Sequence, residues 1–410
     1  MPANFFCRYA AGLLFCALLA ADLSALEAPA EIVLSGNCPP GFELSGGHCE
    51  LRSMYQMYDS LQDAGVGGLK TGLPTYRDGF TPQQIDLGRH LFFDPVLSGD
   101  GTVSCASCHN PALGFSDGRS LSIGANGNTV NRSAQSLWNV AFGQRFFWDA
   151  RAATLEEQMR GPLYDEKEMA NNPEQLLRTL NGIPLYRQLF QQAWPQDFQT
   201  ADAAISLRQV ETAIVAFQAS LISLNSRYDQ YAHGYADALT RPEKEGMNVF
   251  RSFVARCAEC HTPPLFTNQQ IAVIGTPELE GMAFDPGASV PLGEPSLRGG
   301  FKVPSLRNIE LTAPYMHSGR FATLREAVAF YTGGRGHAVP AGEELKIHWH
   351  IWEPKLSDYE LDRLVDFLKT LTDESFRPAE PAKLPSGMQP VHNTVARTGA
   401  IPQYGASKDE

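Results

Sequence analysis

Two five-residue stretches, "CASCH" (Cys105, Cys108, His109) and "CAECH" (Cys257, Cys260, His261), carry the most specific chemistry in the chain. Two thiols one helical turn apart can add covalently to the vinyl groups of a porphyrin, and the adjacent histidine then lies under the iron as an axial ligand. A disulfide-exchanging pair would not need the histidine. Zinc would need four ligands, which two such motifs could supply. However, the pairs lie 152 residues apart, each inside its own helical context. Two covalently bound c-type haems are the expected cofactors. A third candidate ends "TLREAVAFYTGG", where Leu324, Val328 and Tyr331 fall on one helix face. Tyr331 either completes that apolar face or offers its phenolic oxygen to a ligand.

The segments that must position these groups read as helices. "TPQQIDLGRHLFF" has Thr81 as cap and Pro82 at the first helical position, leading toward the first motif. "ISLRQVETAIVAFQASLIS" is a long apolar-faced helix, "PEKEGMNVFRSF" leads into the second motif, and "SDYELDRLVDFLKTL" is a capped closing helix. Strand alternation is scarce. The expected fold is mainly α: a tandem pair of cytochrome c-like haem domains, 81–235 and 236–375, with long loops wrapping the haems. A Pro-, Gly- and Ala-rich tail over 376–410 reads as irregular wrapping or disorder.

At 410 residues the chain is long enough for two domains, and its formal charge of −12 argues against a nucleic-acid partner. Arg8, the apolar "YAAGLLFCALLAA" and the small residues Ser24, Ala25 and Ala28 give the charged, apolar and cleavage regions of a signal peptide over 1–25. That implies export to the periplasm, and no later stretch is long enough for a membrane span. Cys7 and Cys16 leave with the signal. In the extension over 26–80, Cys38 and Cys49 bracket the Gly/Pro-rich loop "CPPGFELSGGHC", so a disulfide between them is expected in an oxidising compartment.

Across residues 80 to 372 the chain resembles the bacterial dihaem cytochrome c peroxidases. The resemblance is carried by "LGRHLFFDPVLSGDGTVSCASCHNPALGFSDG", "FFWDARAATLEEQMRGPLYDEKEM", "CAECHTPPLFTN" and "KVPSLRNIELTAPYMHSGRFATLREAVAFY". It implies a peroxide-reactive first haem on His109, an electron-relaying second haem on His261, and Trp148 between them. Two departures point to the MauG-type branch, whose members oxidise side chains of a partner protein. Ala125 in "SIGANG" stands where those peroxidases carry a removable distal histidine, which implies a first haem open at rest. Tyr331 stands where they place a methionine ligand. Tyrosinate, an anionic donor, favours ferric and higher iron states, so the likeness implies Tyr331 as the second iron's other ligand, with Met316 and Met282 as competitors. His317 matches a structural position of the family.

The same likeness makes Glu168 the distal acid that moves a proton between peroxide oxygens, Gln158 the group that orients it, and Pro162 a pocket wall. On composition alone Glu168 is a surface carboxylate, crowded by Asp165, Glu166 and Lys167. The family holds a calcium ion partly through carbonyls of an "LT-x-P" turn, which Thr312 and Pro314 fit, with Asn131 or Ser133 near the expected asparagine. "HWHIW" (His348, Trp349, His350, Trp352) reads as an aromatic loop, a metal site or a carrier of oxidising equivalents to the surface. The extension "CPPGFELSGGHCELRSMYQMY" resembles that of MbnH-like members of the branch, which implies an exported copper-binding protein as partner and tryptophan as the oxidised residue. The alternatives are a peroxidase reducing hydrogen peroxide with electrons from a small redox protein, and a non-enzymatic dihaem carrier.

Overall fold

The four helices that form the two main packed pairs each begin with a reciprocal cap that the sequence spells out. In α1 (Pro82–Phe93) the Thr81 hydroxyl accepts from the Gln84 amide while the Gln84 side chain accepts from the Thr81 amide. The same box starts α6 (Leu207–Ala219) with Ser206 and Gln209, α8 (Arg241–Phe250) with Thr240 and Glu243, and α11 (Asp358–Lys369) with Ser357 and Glu360. A computed structural model of the chain describes residues 32–52, 73–334 and 337–391. The signal peptide, residues 53–72 of the extension and residues 392–410 of the tail lie outside the described residues.

The residues from Leu34 onward form one unit, built on two crossed helix pairs, α1 with α6 and α8 with α11. A glycine lets each pair approach to backbone contact. A Cβ on Gly88 would lie 1.8 Å from the Ala213 carbonyl oxygen, and one on Gly246 would lie 1.8 Å from that of Arg363. Four residues after each glycine a phenylalanine fills the crossing: Phe92 meets Phe217 at 5.0 Å, and Phe250 meets Phe367 at 5.1 Å between ring centroids. The remaining helices are α2 (Cys105–Cys108), α3 (Leu155–Tyr164), α4 (Pro173–Gly182), α5 (Pro184–Ala193), α7 (Arg227–Ala232), α9 (Cys257–Cys260) and α10 (Leu324–Phe330). Among the described residues the strands form two short antiparallel pairs, β1 (Phe42–Ser45) with β2 (His48–Leu51) and β3 (Ile271–Val273) with β4 (Gly300–Lys302). Among the described residues no helix is long and apolar enough to cross a membrane.

Both ends of the described chain wrap the first helix pair. Cys38 and Cys49 are bonded, closing the β1–β2 hairpin, and Phe42 and Cys49 pack with Phe80, Ile85 and Val215. From the tail, Leu384 joins the core around Phe92 and Phe93, and the Ser386 hydroxyl donates to Asp94 at 2.7 Å. The sequence boundary after residue 235 separates α7 from the lobe it packs into. Tyr228 lies in the core with Phe250, Phe266 and Phe367, and buried Asp229 receives the fully buried guanidinium of Arg307 at 2.7 Å.

The two lobes repeat one another. "SLWN…FFWDARAATLEE" from Ser136 returns as "SLRN…YMHSGRFATLRE" from Ser305, 169 residues later. The backbone repeats with it. Asn139 and Asn308 are both left-handed, at φ 61° and 58°, and the bridge Phe146–Ala152 recurs as Tyr315–Phe321. Thr154 caps α3 through the Glu157 amide as Thr323 caps α10 through the Glu326 amide. In this register Trp148 corresponds to His317, and Pro162 of α3 corresponds to Tyr331 at the end of α10.

Candidate dihaem site

Each C-x-x-C pair forms a single helical turn, α2 or α9, which brings its two sulfurs to one side and leaves the following histidine at the C-cap. The imidazoles are held by the backbone. His109 Nδ1 lies 2.9 Å from the Phe115 carbonyl oxygen, and His261 Nδ1 lies 3.1 Å from that of Phe266 and 3.2 Å from that of Pro304. A carbonyl can only accept, so Nδ1 carries the proton and Nε2 keeps its lone pair for a metal. Both motifs face one continuous cavity of about 1150 Å³. That exceeds the roughly 300–1,000 Å³ of a single small-molecule pocket. No disulfide joins the four motif cysteines, and all four line the same cavity. Lys302 also lines the cavity, its ammonium pushed down to about 8 by burial. A cation there suits the carboxylates of a porphyrin. The donor set, the cavity and its charge all fit two c-type haems.

The structure brings together the residues assigned to peroxide chemistry. Gln158 and Pro162 lie four apart on α3, and both line the cavity with Glu168. Glu168 follows α3 in a loop held by Met169 donating to the Pro162 carbonyl at 3.0 Å. Its proximity to Cys108 places it at the first motif's end. Burial pushes its carboxyl above the usual range, Asp165 adds to this, and Arg151 opposes it. Fully buried Ala125 donates its amide to the Glu168 carbonyl at 2.6 Å, so the "SIGANG" segment and the acid's loop are one piece. A Cβ on the neighbouring Gly124 would lie 2.1 Å from the Lys167 carbonyl oxygen, which explains that glycine.

Trp148 lies on the wall the lobes share. Its indole N–H donates to the Ser133 carbonyl at 2.9 Å, and its own carbonyl accepts from the Lys302 amide at 2.7 Å. Arg132 fastens this wall, reaching Asp149 at 2.6 Å and Asp285 at 2.7 Å. His317, the repeat's counterpart of Trp148, is stacked on Phe301 at 3.8 Å and lies 2.9 Å from Glu278, so its ring is engaged by protein.

Tyr331 lies in the same cavity beside the second motif. Burial pushes its phenol up, and the nearby Cys257 and Cys260 sulfurs add to this. A metal cation is the kind of neighbour that would reverse that shift. Met282 and Met316 also line the cavity. Thr312 and Pro314 reach it, with Asn131 and Ser133, and the Thr312 hydroxyl is spent on the Ile309 carbonyl at 3.2 Å. Among the described residues no group of three or more His, Cys, Asp or Glu side chains is arranged for a metal.

Lys302 and Arg132 escaped sequence reasoning. Nothing local marks a single cation as cavity-lining, although the repeated "ATL-x-E" would have aligned the lobes and shown which loop positions face each other.

Residues 82–237 match the family described as di-haem cytochrome c peroxidase. The chain is 34% identical over 304 residues to the methylamine utilization protein MauG of Methylorubrum extorquens, covering 74% of this chain and 80% of that one. The chain belongs to this family. It is also 35% identical to the cytochrome c551 peroxidase of Nitrosomonas europaea, covering 72% of this chain and 82% of that protein. Among solved structures it is similar to a MauG-like protein associated with microbial copper homeostasis, with a TM-score of 0.67, 34% identity, and coverage of 75% of this chain and 95% of that one. The diheme peroxidase BthA of Burkholderia thailandensis aligns with a TM-score of 0.62 and 29% identity, covering 75% of this chain and 90% of its own. The chain is thus a haem-dependent oxidoreductase carrying two covalently bound c-type haems, which uses peroxide with a protein or redox partner.

Proposed function

We propose that this protein is exported to the periplasm, where it uses hydrogen peroxide to oxidise a side chain of a partner protein. The observation that carries the reading is the pairing of Pro162 with Tyr331. One backbone slot, repeated in two lobes, offers no donor beside the first motif and a phenol beside the second. Cys105 and Cys108 would attach the first haem over His109, and Cys257 and Cys260 the second over His261, with Tyr331 as its other ligand. When bound, the haems accept the two oxidising equivalents of peroxide. The protein's own groups do the rest. The Glu168 carboxylate takes the proton from one peroxide oxygen and returns it to the other, and its desolvation raises its basicity for that task. Gln158 orients the acid, and Pro162 shapes the wall and donates nothing. Trp148 spans the shared wall between the lobes and would relay electrons there.

An anionic ligand from Tyr331 favours high iron oxidation states and suits a site that holds oxidising power for a slow protein substrate. The likeness to a solved MauG-like protein associated with microbial copper homeostasis supports a link to copper. An exported copper-binding protein as the substrate, with tryptophan as the oxidised residue, follows only from the resemblance of the N-terminal extension. A calcium ion between the lobes would rest on carbonyls at Thr312 and Pro314. The second reading, reduction of peroxide to water with electrons from a small redox protein, draws on the likeness to cytochrome c551 peroxidase. Low-temperature electron paramagnetic resonance of the ferric holoprotein tests the open first haem on which the first reading depends. One high-spin and one low-spin signal, both lost on adding one equivalent of peroxide without reductant, support the first reading. Two low-spin signals unmoved by peroxide exclude it and leave a carrier or a peroxidase that needs prior reduction.

A further inference from the structure

The "HWHIW" loop takes no part in the chemistry above, yet it joins the cavity to the surface. Of the five tryptophans, Trp138 and Trp194 are core and Trp148 lines the cavity, whereas Trp349 and Trp352 are 64% and 41% exposed. Exposing two indoles to water forgoes apolar burial that most proteins would use. Both are fastened to the segment carrying the second motif. The Trp352 indole N–H donates to the Val254 carbonyl at 3.0 Å, and the Arg256 guanidinium sits 5.1 Å from the Trp352 ring and 6.0 Å from that of Trp349. His350 contacts Trp349 at 3.6 Å between ring centroids, and its Nε2 lies 2.8 Å from Glu259, between the two cysteines. Arg256 and His350 both line the cavity. One layer of side chains therefore separates the second motif from two solvent-facing indoles.

We propose that Trp349 and Trp352 are the relay through which the oxidised protein draws electrons from outside, an assignment that rests on the peroxide reading above. Each indole gives one electron inward to the second-haem site and is refilled by one electron from a donor in solution. Two such transfers restore the resting protein after each peroxide, which has taken two electrons and two protons to give two waters. The Val254 carbonyl holds the Trp352 indole N–H and so fixes the ring against the segment that carries the second motif. The Arg256 cation disfavours positive charge on either ring, so the charge passes through and is not stored. Without a donor, an indole that loses two electrons and two protons per peroxide gains its oxygen atom from water.

The test uses the holoprotein with hydrogen peroxide and no partner, following the haem spectrum by stopped flow and the peptides by mass spectrometry. Wild type should gain one oxygen at Trp349 or Trp352. The double variant W349F/W352F should lose that product and keep its peroxide-oxidised spectrum several-fold longer, while W349Y/W352Y, whose phenols can be oxidised, should recover fast decay. Both substitutions lie at the surface, and an unchanged resting spectrum confirms a folded variant. Oxygenation confined to other residues, with unchanged decay in W349F/W352F, would overturn the relay alone. A resting spectrum that peroxide does not move would overturn the peroxide reading and the relay with it.

Discussion

Replacing Glu168 by glutamine tests the reactive pocket directly. The amide keeps the size and polarity of the side chain and removes the one proton-carrying group among the pocket residues assigned to peroxide. General acid–base catalysis contributes roughly 10²–10⁴-fold, so the second-order rate constant for peroxide, followed at the Soret band by stopped flow, should fall by about that factor in E168Q. The wild-type pH profile gives the sign. Glu168 must be ionised to take the first proton, and burial holds its pKa above the ordinary carboxyl value, so the rate should decline as pH falls through that raised pKa. In E168Q the decline should disappear. Stability supplies a control with the opposite sense. A carboxyl whose folded pKa exceeds its unfolded value stabilises the fold below the unfolded pKa and loses that contribution as pH rises through the folded one. E168Q should therefore melt no lower than wild type at pH 7. A variant that reacts within a few-fold of wild type at every pH, with the acidic limb intact, would refute the assignment of Glu168.

Three further substitutions probe the frame and the second lobe. Y331F should convert the low-spin ferric signal of the second haem to high spin, read by electron paramagnetic resonance, and Y331M should keep it low-spin but raise its midpoint potential, read by redox titration, since thioether favours ferrous iron. G88A or G246A would set a Cβ 1.8 Å from a carbonyl oxygen, an overpacking that costs about 1–3 kcal/mol and shows in thermal melts as a drop of roughly 2–4 °C per kcal/mol. R307M leaves the buried Asp229 carboxylate without its cation, which costs about 3–5 kcal/mol in denaturant titrations, and adding D229N should return part of that loss.

What could be read from the sequence followed from how local each signal was. The attachment motifs, the helix caps and the Cys38–Cys49 loop are set by residues within a dozen positions of one another, and the structure places all of them as short-range geometry dictates. The packing of α7 with residues beyond position 235 has no local signal, because its partner, Arg307, lies 78 residues further along. The described part of the tail packs because Leu384 and Ser386 find Phe93 and Asp94 near the start of the fold, a contact that composition cannot show. Glu168 illustrates the limit most clearly. By its neighbours it is a surface charge, and backbone contacts from Ala125 and to Pro162, which no local signal shows, turn the loop inward.

The repeat explains how one backbone can support two different irons. The loop from Ser136 to α3 and the loop from Ser305 to α10 share their turn residues and bridge pairs. A donor placed at the end of either helix would reach its cavity in the same way. Proline in that slot has a ring that cannot ligate, and it leaves room for Glu168 to approach from the next loop. Tyrosine in the same slot fills the space with the group that would bind. On the proposed reading, the division between a reactive lobe and a storing lobe would come down to a few side chains on a shared frame. Exchanging them, with Tyr at position 162 or Pro at position 331, should exchange which haem is open without moving the fold.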